Sequence, residues 1–93
     1  MTFDSPLSIP DAMTDFPGLS RAPAALLVRL HESKGRIVEY WTLQQAVEAV
    51  TGNQNTIDNV RSAAKRARKA ISGKGKIVSA SGVGYRLSWD ALT

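Results

Sequence analysis

Ninety-three residues make one domain at most, with a small core. The chain has no cysteine and no apolar run long enough to cross a bilayer, which excludes disulfides, thiolate zinc sites, cysteine nucleophiles and a membrane-spanning helix. A hydrophobic share of 43%, a charged share of 22% and a net charge of +4 belong to a folded rather than a disordered chain.

Residues 1–18 read as an arm, because "DSPLSIPDAMTDFPG" carries three prolines and no sustained period. Leu7, Ile9, Met13 and Phe16 are its candidates for packing on the domain, residues 19–93. A first helix is expected from Arg21 to Ser33, with Ser20 as N-cap, Pro23 in the first turn and Leu26, Leu27 and Leu30 on one face. Gly35 ends it. A short extended piece, Arg36 to Val38, leads to a second helix, Tyr40 to Val50, with Glu39 as its cap and Gly52 as its stop. A third helix, capped by Asn55 or Thr56, runs to about Ile71. Ile57, Val60, Ala64, Ala67 and Ile71 form its apolar stripe. "KIVSA" and "YRLSW" then read as two strands joined by Ser81-Gly82-Val83-Gly84, whose glycines suit positive φ. Tyr85, Leu87 and Trp89 share one strand face, and Arg86 and Ser88 the other.

Charge is unevenly placed. The first twenty residues hold Asp4, Asp11 and Asp15 and no lysine or arginine, while no acid lies between Asp58 and Asp90. That interval contains Arg61, Lys65, Arg66, Arg68, Lys69, Lys74, Lys76 and Arg86. At about 100° per residue, Ser62, Lys65, Arg66 and Lys69 fall opposite the apolar stripe, with Asn59 near the start and Arg61 and Arg68 at the edge. A one-signed field of this density attracts polyanions. The basic segment has few large apolar residues to insert, so a membrane surface fits it less well than nucleic acid.

Three helices followed by a hairpin, with the third helix basic, give an α+β, mainly α plan: a winged helix-turn-helix. The residues of this plan resemble a particular family, the OmpR/PhoB-type effector domain of bacterial response regulators. "LSRAPAALLVRLHESKGRIV" is similar to the family's opening helix, "KRARKAI" to its recognition helix and "IVSASGVGYRL" to its wing. The likeness runs from Leu19 to about Leu87. It implies a double-stranded DNA-binding regulator, here a stand-alone domain with no receiver, with residues 55–71 in the major groove and the wing, residues 76–89, on the backbone. Tight specific binding would then use two copies on direct repeats.

By position, the resemblance assigns Arg66 to base readout, Lys65 to phosphate and Arg68 to a third basic contact near the backbone. Ser62 would face the groove and Ser79 would meet a phosphate. From their own placement, Asn59, Arg61, Lys69, Ser81 and Arg86 join the candidate interface. The sequence departs from the family where Pro23 and Ala24 replace a glutamate and a phenylalanine, Ala63 a polar residue, and Ser81 a wing arginine. The family's preceding four-stranded sheet is expected to be partial or missing.

Other readings stay open on the same residues: a winged helix that holds RNA polymerase or another regulator, or a low-specificity, chromatin-like DNA binder. His31 is expected at the surface, and Tyr40 and Trp41 either in the core, the preferred reading, or on a partner surface at the start of the second helix. "GKGK" lacks the spacing of a phosphate-binding loop. With no nucleophile–base pair or paired carboxylates, neither an enzyme nor a cofactor is expected. The absence of a secretion pattern at the N-terminus points to a cytoplasmic, nucleoid-associated protein.

Overall fold

Ser8 and Pro10 start a helix where the sequence suggested an irregular arm. In a computed structural model, which describes residues 2–52 and 57–90, α1 runs Ile9–Asp15, and the Ser8 hydroxyl accepts from the Asp11 N–H at 3.2 Å. Proline in the first turn and an acid beside it favour this start. Leu7, Ala12 and Phe16 are buried in the common core, Ile9 packs on it, and Met13 is exposed. The arm is therefore part of the globule through a helix, and among the described residues no strand precedes α2.

α2 (Arg21–Glu32), β1 (Val38–Glu39), α3 (Tyr40–Thr51) and α4 (Ile57–Ala70) follow, then β2 (Gly75–Ala80) and β3 (Gly84–Trp89). The fold is α+β and mainly helical. Neither Ser20 nor Glu39 makes a side-chain cap bond. The expected Asn55 or Thr56 cap lies outside the described residues. α2 is the central helix, touching α1, α3, α4 and β3. Its Leu26, Leu27 and Leu30 are fully buried, beside Leu43 and Val47 of α3 and Leu87 of β3.

α4 lies on α2 through Val60, Ala63, Ala64, Ala67 and, just past the helix, Ile71. Three alanines on this face let the two helices approach closely. Ile57, expected in the stripe, is instead 44% exposed. It stands in the first turn, and Ala63 takes the inward position.

The sheet is antiparallel with order β1-β3-β2. Val38 pairs with Tyr85 and Glu39 with Gly84 on one side of β3, and Ile77 with Leu87 and Ser79 with Tyr85 on the other. The two hairpin glycines serve different needs. Gly82 has φ 72, as the turn demands. Gly84 has no positive φ; it is needed because a Cβ there would collide with the Val38 carbonyl and lie 2.9 Å from the Glu39 Cα.

Packing overturns one sequence expectation and divides another. His31 is buried, at 3% exposure. Its Nδ1 accepts from the Trp89 indole N–H at 3.0 Å, and its Nε2 lies 2.5 Å from the Ser5 carbonyl. That pairing requires the neutral ring with its proton on Nε2. The segment before α1 covers this face of α2, and periodicity could not register that cover. Trp41 is 65% exposed while Tyr40 packs against the core. Adjacent residues on a helix point about 100° apart, so one aromatic faces in and the other out.

Candidate nucleic-acid interface

Residues of α4 opposite the buried alanines form the most cationic surface of the described chain. Asn59, Arg61, Ser62, Lys65, Arg66, Arg68 and Lys69 are all exposed. Ser62, Lys65, Arg66, Arg68, Lys69 and Ser72 line one open groove. A second groove continues from it through Arg68 and Ser72 to Lys76 and Ser79 on β2. The two grooves join the helix and one hairpin strand into a single trough. Asp90 also lines this groove, beside the turn from α4 to β2, where its N–H donates to the Lys74 carbonyl at 2.9 Å.

The flanks of α4 differ. Arg66 and Lys69 share a cleft with Pro17 and Gly18. Asn59 and Arg66 line another, with Pro23 and Val47. On the opposite flank, Arg61 lies 5.9 Å above the Tyr40 ring, and Tyr40 meets Tyr85 edge-on at 5.6 Å. Arg68 donates from Nε to the Ile77 carbonyl of β2 at 3.0 Å. Burial pushes the Tyr85 phenol above its ordinary range, and Tyr40 adds to the rise. The positive charges of Arg61 and Arg68 act in the opposite direction.

Not every candidate reaches the trough. Arg86 pairs with Val78 and shares the sheet face turned away from the helices, since its neighbours Tyr85 and Leu87 are buried. Ser81 is exposed in the hairpin turn, outside both grooves. Ser72 and Lys76 line the trough although neither was singled out. Lys76 was visible in the acid-free interval; its proximity to α4 depends on where β2 docks.

The arrangement offers cations and hydroxyls on an open, solvated surface. Its chemistry is hydrogen-bond donation and charge neutralisation toward an extended polyanion. Among the described residues no cluster of three or more His, Asp or Glu could hold a metal ion, and no helix is long and apolar enough to cross a membrane. Comparison of the chain with known protein families, curated proteins and solved structures gives no match.

Proposed function

We propose that this protein is a winged helix-turn-helix regulator of transcription that binds duplex DNA. In this reading α3 and α4 form the helix-turn-helix, α4 enters the major groove, and the β2–β3 hairpin lies on the backbone. The observation that carries it is the trough from Ser62 to Ser79, whose α4 wall presents Lys65, Arg66, Arg68 and Lys69 in a stretch with no acid between Asp58 and Asp90. Lys65 and Lys69 serve as phosphate contacts, and Arg66 reads a base edge. A single small module makes a limited interface, so two copies on direct repeats supply tight specific binding.

A salt titration tests the reading. With about four to six cations at phosphates, log affinity falls against log salt with a slope of about −4 to −5. A slope near zero in fluorescence anisotropy overturns it. Arg66→Ala should weaken a specific site by about 1–3 kcal/mol and random DNA much less.

A second reading, a scaffold for a protein partner, is favoured by exposed Trp41, Ile37 and Val83. The Val83 carbonyl accepts the hydrogen bond from the Tyr40 N–H, next to Trp41 in the chain. Footprinting separates the two: a discrete protected site supports DNA binding, and no protection supports the scaffold.

A further inference from the structure

β2 is an edge strand, paired on one side with β3 and approached on the other by α4. An open strand edge offers carbonyls and N–H groups to any passing chain. Here the Ile77 carbonyl is occupied by Arg68 Nε at 3.0 Å. The Ile77 side chain is buried at 3% exposure, so its backbone has little freedom to slide. Among the described residues, Arg61 and Arg68 are the basic groups of α4 that engage protein. Arg61 lies over the Tyr40 ring. Arg68 alone crosses from the helix to the hairpin.

A guanidinium bound through Nε is fixed in its plane, and its direction follows from the bond. The Arg68 side chain stays exposed at the trough, but its Nε–H is directed to the sheet by the bond to Ile77. The carbonyl ends of a helix also lie near Arg68, in the last turn of α4, and they favour a cation that stays.

We propose that Arg68 is a positioning residue: it registers the β2–β3 hairpin on α4 and does not itself neutralise a phosphate. The two walls of the trough are then held at a fixed separation. A duplex must present its major groove to Lys65, Arg66 and Lys69 and its backbone to the hairpin at one spacing. The consequence for DNA rests on the proposed function, whereas the clamp itself belongs to the free protein.

Amide hydrogen exchange on the free protein tests the clamp. Arg68→Lys keeps the charge and loses the planar Nε–H, and Arg68→Gln loses both. Both variants should speed exchange of the hairpin amides Val78 and Arg86 by about tenfold, with Leu26–Leu30 of α2 unchanged. Lys65→Gln should leave the hairpin unchanged. A rise shared equally by α2 reports general destabilisation and overturns the proposal. Unchanged hairpin exchange overturns it as well. On DNA, Arg68→Lys should weaken binding because the hairpin is released. If Arg68→Lys binds like the parent while Arg68→Gln reduces the salt slope by about one, Arg68 is a phosphate contact and the proposal fails. Should the parent protein show no salt-dependent binding, the proposed function falls, and the exchange data still decide the role of Arg68.

Discussion

Gly84→Ala is the substitution whose effect the backbone defines most directly. The added Cβ would overlap the Val38 carbonyl oxygen and lie 2.8 Å from the Val38 carbonyl carbon. These are backbone atoms, so no rotamer change relieves the clash. β1 must separate from β3. The pairs Val38↔Tyr85 and Glu39↔Gly84 depend on that contact, as does the bond from Tyr40 N–H to Val83 O. Each backbone hydrogen bond contributes about 1 kcal/mol, and exposing Val38 costs about 1.5–3 kcal/mol. The expected loss is about 4–6 kcal/mol, a large share of a stability of about 5–14 kcal/mol for a chain this size. Gly82→Ala is the internal comparison. Its φ is 72 with nothing within 4 Å, so only the left-handed backbone is penalised, by about 1–2 kcal/mol. Urea unfolding of both variants, followed by circular dichroism, measures the difference. Equal midpoints would refute the close-approach argument and return Gly84 to the role of a flexible turn residue.

His31→Ala leaves the Trp89 N–H without its acceptor in a buried site and opens a cavity, and should cost about 2–4 kcal/mol in urea unfolding; a loss under about 0.5 kcal/mol, the range of surface changes, would return His31 to the surface. Tyr85 titrates above its ordinary value because burial disfavours the phenolate. A raised folded-state pKa means that its stability contribution is complete below the unfolded value of about 10 and is lost as pH rises through the folded value. The wild type should therefore lose stability more steeply than Tyr85→Phe as pH rises above about 10, and parallel curves would refute the assignment. Ser81→Arg, at an exposed turn position, should change stability by less than about 0.5 kcal/mol. It should tighten binding most on probes with an A-tract beside the site, where the narrow minor groove attracts a cation. Equal affinity for wild type and variant on both probes would show that the tip does not approach that groove.

The sequence alone determined what is local. Helical spacing of Leu26, Leu27 and Leu30, and of Val60, Ala64 and Ala67, fixed which faces of α2 and α4 turn inward. The alternation through Tyr85, Leu87 and Trp89 fixed the inner face of β3. The acid-free run fixed the sign of the charge around α4. Each of these depends on residues within a few positions of one another, and a repeating backbone geometry converts spacing into direction. Tertiary structure decided the rest, because it depends on residues far apart in the chain. His31 is buried by Ser5 and Trp89, 26 and 58 residues away. Arg68 faces β2 because a strand docks beside its helix. Gly84 is required by the approach of β1, and α1 belongs to the core because Phe16 stacks on Trp89. Which cations stand free and which are held by protein is set by contacts of this second kind, and no period along the chain records them.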